Sequence, residues 1–406
     1  MCCSLLFCAC SNQEATEDQR SNNPFAVIAI GDVGEPGSDL RANSQLLANM
    51  LTQKHDAGQF DAMIFLGDNF YNTGLNVRAD EVDGLVKDVL GPFKISLEAL
   101  GRKNVHAIAG NHDYYARNAF ETSALFGLID IQEGPIGLTD KGNKRASALK
   151  QWTYYYGMPA EVCYPTNSGL TDSVQFIFVD SALPLRTNAN TWTPALDSLR
   201  KLLRASAARK GITWRILCMH HPMYSVGEHA GFSEWNDETN TVEYLTQCDK
   251  DSNAVGWMKN WFDPEDLCAE KYGAFMDSLK GAINETGVRI QAALTGHEHS
   301  LQLLNYQDRD RDCEGCPKIH IVSGAGSKSE RVKFPSPPIE FTAANTTPSK
   351  EGISAIGFAR LIFSADSMRV TFFNARTIAP QDMGGGMKEF TITPDGRLTN
   401  VIPPKE

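Results

Sequence analysis

The sequence predicts an α/β protein in which buried strands alternate with helices, and three observations predict it. Short apolar runs recur at Phe25–Ile30, Ala62–Leu66, Val105–Ala109, Val174–Val179, Trp214–Met219 and Ile290–Thr295, and they stop abruptly at Gly, Asp or His. Runs of this kind read as strands covered on both faces. Between them lie segments with apolar residues at helical spacing, such as Arg41–Asp56 with Leu46, Leu47, Met50 and Leu51. The third observation concerns the strand ends: polar, chemistry-bearing residues stand at one after another, where open α/β sheets bind their ligands.

In chain order, Phe25–Ile30 is the first strand and ends at Gly31-Asp32-Val33-Gly34. The helix over Arg41–Asp56 leads to the strand Ala62–Leu66, which ends at Gly67-Asp68-Asn69-Phe70-Tyr71. Ala79–Leu90 is helical in pattern, and Val105–Ala109 ends at Gly110-Asn111-His112-Asp113. Leu125–Trp152, richer in Gly and charge, reads as a surface excursion bordering a cleft. Val174–Val179 ends at Asp180, read as a structural turn acid. Ala195–Arg209 is an amphipathic helix, and Trp214–Met219 ends at His220-His221-Pro222, followed by Glu228-His229. Phe232–Cys268 is dense in Trp, Asn, Asp and Glu without a period and is assigned as a long loop with short helical turns. A helix over Lys271–Glu285 precedes Ile290–Thr295, which ends at Gly296-His297-Glu298-His299. Ile319–Gly324, Ala359–Phe363 and Met368–Phe373 have strand composition, with an exposed loop over Phe334–Lys350.

At 406 residues and 42% hydrophobic content the chain has material for a sizeable core, in one large domain or two. A formal net charge of -11 argues against nucleic-acid binding, which relies on Lys and Arg. No stretch approaches the roughly 20 apolar residues of a transmembrane helix. The N-terminus divides into a short apolar, Cys-rich segment over residues 1–10 and a polar tether over 11–24. It resembles a bacterial lipoprotein signal in which Ala9 precedes an acylated Cys10. A cleaved export signal and a cytoplasmic tail are the other two readings. Carried forward, the lipoprotein reading expects an exported protein of the periplasm or cell envelope, reaching the membrane only through a lipid at Cys10. In an exported protein Cys313 and Cys316 read as a loop disulfide, Cys248 and Cys268 could staple the Phe232–Cys268 loop, and Cys218, inside an apolar run, reads as a buried thiol.

Five strand ends thus display Asp32, Asp68 with Tyr71, Asn111 with His112, His220, and His297 with His299. Singly, each has a plain structural reading as a turn former or a buried histidine; five such ends in order point to a two-metal hydrolase. Two cations about 3.5–4 Å apart need a shared anionic bridge, which a carboxylate supplies, and Asp68 is its natural candidate. Neutral imidazoles and an amide oxygen complete coordination without cancelling the positive charge that a phosphate ester requires. A metal-bound water acidified toward neutral pH is then the nucleophile, with no covalent enzyme intermediate.

This set resembles the calcineurin-like metallophosphoesterases, and within them the purple acid phosphatases of the small mammalian, tartrate-resistant type. The narrower resemblance rests on Gly67-Asp68-Asn69-Phe70-Tyr71, on Glu228-His229, on Gly296-His297-Glu298-His299-Ser300-Leu301-Gln302, and on Ser323-Gly324-Ala325-Gly326. It implies two packed mixed β-sheets flanked by helices in a single catalytic domain over 25–380, with an insertion at 232–268 and a C-terminal extension at 381–406. It further implies that Asp32, Tyr71 and His299 hold Fe(III), that Asn111, His220 and His297 hold a divalent Fe(II), Zn or Mn, and that Asp68 lies between them. His112 and His229 match two outer histidines that position phosphate and protonate the leaving group. His221 replaces another residue of the mammalian-type motif. The expected activity is acid hydrolysis of phosphate monoesters. Two alternatives stay open: a phosphodiesterase or nucleotide hydrolase with Mn or Zn in both sites, and a non-catalytic surface binding lipoprotein.

Overall fold

A computed structural model of the chain describes residues 24–52, 60–71, 74, 82–114, 152–166, 172–186, 189–230, 233–236, 238–239, 241–243, 266–267, 269–343, 351–376 and 387–402. Its helices are α1 (Ser38–Thr52), α2 (Val82–Leu90), α3 (Lys94–Leu100), α4 (Ala182–Arg186), α5 (Ala189–Ala208) and α6 (Glu270–Asn284). The first strands are β1 (Phe25–Ile30), β2 (Ala62–Phe65), β3 (Val105–Ile108), β4 (Thr153–Tyr155), β5 (Ala160–Pro165), β6 (Ser173–Phe178) and β7 (Ile212–Met219). They are followed by β8 (Glu234–Asn236), β9 (Thr241–Glu243), β10 (Ala292–Thr295), β11 (Leu301–Asn305), β12 (Ile319–Ser323) and β13 (Arg331–Lys333). The last are β14 (Ile339–Thr342), β15 (Glu351–Ile353), β16 (Gly357–Phe363), β17 (Met368–Asn374), β18 (Lys388–Ile392) and β19 (Leu398–Ile402).

Two large mixed sheets result, with strand orders β19-β18-β17-β16-β1-β2-β3-β4 and β14-β11-β12-β10-β7-β6-β5. β1, β2, β3 and β4 run parallel, as do β6, β7, β10 and β12, and antiparallel strands complete both sheets. The predicted architecture of two packed mixed sheets flanked by helices is the one observed. The strand period of two explains the layers. Along β1, Val27 and Ala29 enter the core between the sheets, while Ala26, Ile28 and Ile30 join the core under α1 and α3. Along β7, Trp214, Ile216 and Cys218 face the first sheet, and Leu217 and Met219 face α5 and α6. Strands buried on both faces read as unbroken apolar runs, which is why they were visible in the sequence.

Several details differ from the reading of sequence alone. The described part of 232–268 holds a hairpin, β8 with β9, in place of helical turns. Its turn closes on the Asn236 side-chain oxygen, which accepts from the Glu238 and Thr239 amides at 2.8 and 3.1 Å. Three-residue strands joined without Gly carry no legible period. Within 381–406, β18 pairs with β17 and β19 with β18, which extends the first sheet. Asp180 is the expected turn acid, accepting from the Ala182 and Leu183 amides. Cys313 and Cys316 are bridged, and Cys218 is a buried thiol. The Cys248–Cys268 pairing, residues 1–23 and Leu125–Lys150 lie outside the described residues, and no described helix is long and apolar enough to cross a membrane.

Two buried histidines away from the strand-end loops set a pH dependence of stability. Burial pushes the imidazoles of His106 and His320 from 6.5 down to about 3. His106 sits between tyrosines, with Nδ1 3.1 Å from Tyr155 Oη and Nε2 2.6 Å from Tyr164 Oη. Between pH 6.5 and 3 the unfolded chain carries protons on these rings that the native chain refuses, so stability falls as pH drops through that window. Each imidazole contributes roughly 5 kcal/mol to the full decline. Urea midpoints taken from pH 7 to pH 4 should fall steadily, and His320→Phe should flatten the limb. An unaltered slope in that variant would assign the acid sensitivity elsewhere.

Candidate metal centre

The predicted strand-end residues converge at one edge of the inter-sheet layer, carried by three loops of the first sheet and two of the second. The loops are laced by backbone bonds: Asp32 N–H donates to Gly67 O at 3.0 Å, Gly34 N–H to Asp68 O at 3.0 Å, and Gly296 N–H to His220 O at 3.0 Å. Asp32, Asp68 and His297 all adopt left-handed backbone, with φ of 58°, 50° and 66°. Such conformations are uncommon outside Gly and persist where the surroundings over-determine them. Three of the predicted ligand residues therefore share one form of local strain, which turns their side chains inward. Gly110 makes room for this, since a Cβ there would meet Asp68 Oδ1 at 2.2 Å.

Two groups of donor atoms form. In the first, Tyr71 Oη lies 3.0 Å from Asp32 Oδ1 and 2.9 Å from His299 Nε2, and that Nε2 is 3.5 Å from Asp32 Oδ1. In the second, Asn111 Oδ1 lies 2.8 Å from His220 Nε2 and 3.2 Å from His297 Nδ1. Asp68 joins them, its Oδ1 3.4 Å from His220 Nε2, and donor atoms of Asp32, Asp68 and His220 all fall within 4.8 Å of one another. All seven side chains are buried.

The donor chemistry suits cations. His220 Nδ1 lies 2.7 Å from the Leu66 carbonyl, to which its N–H donates, and Nε2 is left facing an amide oxygen and a carboxylate. Acceptors turned on each other in this way need a positive charge between them, from a metal ion or from a proton on Nε2. The electrostatics state the same demand. Burial opposes charge on His220, yet Asp68 and then Asp32 push it up to about 9. Burial would raise the Asp68 carboxyl, but His220 and His112 hold it well below the usual carboxylate range. Burial, then Asp32 and Asp68, push the Tyr71 phenol up, so a phenolate there requires a strongly charged cation in exchange for its proton.

Residues 25–301 match the calcineurin-like phosphoesterase family. The chain belongs to that family. Family members are phosphate ester hydrolases with a binuclear metal centre, and among the described residues Asp32, Asp68 and His220, His220, His221 and His297, and His229, His299 and Glu330 form groups able to hold a metal ion. Among curated proteins, purple acid phosphatase 17 of Arabidopsis thaliana is 24% identical over 344 residues, covering 82% of this chain and 78% of its own. Among solved structures, PhoD aligns with a TM-score of 0.55 at 9% identity, over 95% of this chain and 73% of that one. A purple acid phosphatase from yellow lupin (Lupinus luteus) seeds aligns with a TM-score of 0.47 at 16% identity, over 92% of this chain and 54% of that one.

His112 and His229 stand at the margin of the phosphoesterase centre. The His112 amide donates to Asp68 Oδ1 at 2.9 Å, and its ring lies 4.5 Å from that of Tyr71. The His229 ring lies 4.5 Å from His297 and 5.6 Å from His299, with Nδ1 3.1 Å from Asp266 Oδ1. His221 is different: it is fully buried, its Nδ1 lies 2.9 Å from Ser181 Oγ, and its ring packs 4.4 Å from His297. With His220 and His297 it forms a group whose donor atoms lie within 4.8 Å of one another.

Four carboxylates of this phosphoesterase were not singled out in the sequence. Asp113 accepts from the Gly110 and Asn69 amides and from Asn69 Nδ2, tying two ligand loops together. Glu298 accepts from Ser225 Oγ and the His229 and Ala230 amides at 3.0–3.1 Å, and burial pushes its carboxyl up to about 7. Asp266 and Glu330 reach the histidines from distant segments. Asp113 and Glu298 sit inside the recognised motifs, a signal that could have found them, whereas nothing local marks Asp266 or Glu330.

Proposed function

We propose that this phosphoesterase is an exported phosphatase that hydrolyses phosphate monoesters with a metal pair made of Fe(III) and a divalent ion. Asp32, Tyr71 and His299 would hold Fe(III), Asn111, His220 and His297 a divalent Fe(II), Zn or Mn, and Asp68 would be shared. The observation that carries this reading is the placement of Tyr71 Oη within 3.0 Å of a carboxylate and an imidazole that both offer lone pairs. A phenolate is a hard anionic donor and favours Fe(III) over softer divalent ions. When bound, the pair supplies Lewis acidity toward phosphoryl oxygens and a water of lowered pKa.

The chain's own residues do the rest. His112 and His229 flank the donor atoms and offer ring N–H groups to the phosphate and a proton to the leaving alkoxide. Asp266 and Glu330 orient the His229 ring. Lys328, whose Nζ lies 3.7 Å above the Tyr71 ring, adds a cation at the rim of an otherwise acidic chain. The Cys10 lipid anchor and envelope location remain part of this proposal, and metabolic labelling with a fatty acid tests them.

The deciding measurement is the visible spectrum of the purified protein, oxidised and mildly reduced, beside its metal content. A purple band that shifts on reduction is expected. A colourless protein holding two other metals, with diester turnover above monoester turnover, would replace this reading with the Mn or Zn diesterase. His112→Ala should lower kcat for alkyl phosphates by roughly 100-fold or more and for nitrophenyl phosphate by much less. Equal losses on both substrates would remove the acid role.

A further inference from the structure

Among the described residues, one carboxylate beyond the donor side chains lies against both a donor imidazole and a flanking one. Glu330 lies in the segment between β12 and β13, and its position is fixed by its own backbone. Its N–H donates to His299 O at 3.0 Å, and its carbonyl accepts from Ser354 N–H at 2.9 Å. The side chain then turns back to the same histidine, with Oε1 2.7 Å from His299 Nδ1. Oε2 lies 3.6 Å from His229 Nε2.

The two nitrogens of His299 therefore have separate tasks. Nε2 faces Tyr71 and Asp32, and Nδ1 faces Glu330. A carboxylate on the distal nitrogen of a metal-ligating imidazole fixes its tautomer and orientation and strengthens it as a donor. We infer that Glu330 is a positioning residue that ties the ligand imidazole of His299 to the outer imidazole of His229, so that metal retention and substrate handling depend on one carboxylate. Asp266 supplies the internal contrast. It holds His229 by the other ring nitrogen, Nδ1, at 3.1 Å, and among the described residues its carboxylate forms no hydrogen bond or ion pair with the seven donor side chains.

This inference rests on the two-metal reading, and the experiment separates the two. Wild type, Glu330→Gln, Glu330→Asp and Asp266→Asn are loaded with Zn(II) alone, then with Fe(III) and Zn(II), and challenged with increasing chelator while metal content is measured. Wild type should hold two ions. Glu330→Gln should surrender one of them at roughly 10- to 100-fold lower chelator, Glu330→Asp should recover part of the difference, and Asp266→Asn should retain both as wild type does. In the iron-loaded forms the visible band should move in Glu330→Gln and stay in place in Asp266→Asn. Thermal unfolding of the metal-free forms checks that the fold is intact, and Glu330→Asp carries the comparison should Glu330→Gln not fold. Two ions in wild type held equally well by Glu330→Gln would overturn this inference alone, as would equal loss in Asp266→Asn. A wild type that takes up no metal would overturn the proposed function and this inference together.

Discussion

Asp68→Ala should lower turnover by roughly 1000-fold or more, the scale of losing a central electrostatic group, and should leave fewer than two metal ions per chain. Asp68 Oδ1 accepts the His112 amide at 2.9 Å and lies 3.4 Å from His220 Nε2, while its Oδ2 lies 3.9 Å from His112 Nε2. Removing it leaves His220 and the neighbouring donors without their shared anion. The backbone adds a second cost, because φ at this position is 50° and Ala resists the left-handed region more than Asp or Asn does. Asp68→Asn separates the two effects: the amide tolerates the backbone and keeps a hydrogen-bond acceptor but carries no charge. Both variants should lose turnover and the Asp68–His220 pairing, and Asp68→Ala should lose more stability than Asp68→Asn. Full activity in Asp68→Ala, read on any phosphate ester with metal supplied, would end the two-metal account.

Gly110→Ala is expected to be nearly as damaging, although it alters no functional group. A Cβ at this position would meet both the Asp68 amide nitrogen and Asp68 Oδ1 at 2.2 Å, a separation at which backbone and carboxylate must move. The Gly110 amide also donates to Asp113 Oδ2 at 2.9 Å, so the displaced loop loses a second tie. Overpacking of this kind typically costs about 1–3 kcal/mol, and a displacement of about 1 Å at a reacting centre costs about 100-fold in rate. The control is the same substitution in open space. A Cβ at Gly84 in α2 meets nothing within 4 Å. Gly84→Ala should raise stability by about 0.4–1 kcal/mol and leave kcat unchanged. Thermal midpoints and kcat of the two variants side by side check the contrast. A Gly110→Ala enzyme that matches Gly84→Ala would mean that Asp68 does not occupy the place described.

The sequence by itself determined where the chemistry is displayed. Strands buried on both faces appear as short apolar runs, and a run that ends on Asp32, Asp68, Asn111, His220 or His297 presents that residue at a sheet edge whatever the rest of the chain does. These are short-range properties, legible in a few consecutive residues. Tertiary structure decided everything that depends on which segments meet. It joined β18 and β19 to the first sheet, paired β8 with β9, and brought Asp266 and Glu330 onto His229. It also imposed left-handed backbone on Asp32, Asp68 and His297, which aims the donors inward. The physical reason is range. Glu330 reaches His299 and His229 only because the strands between them pair and pack, and no local pattern of charge or hydrophobicity encodes a contact that exists only once two sheets have closed on each other.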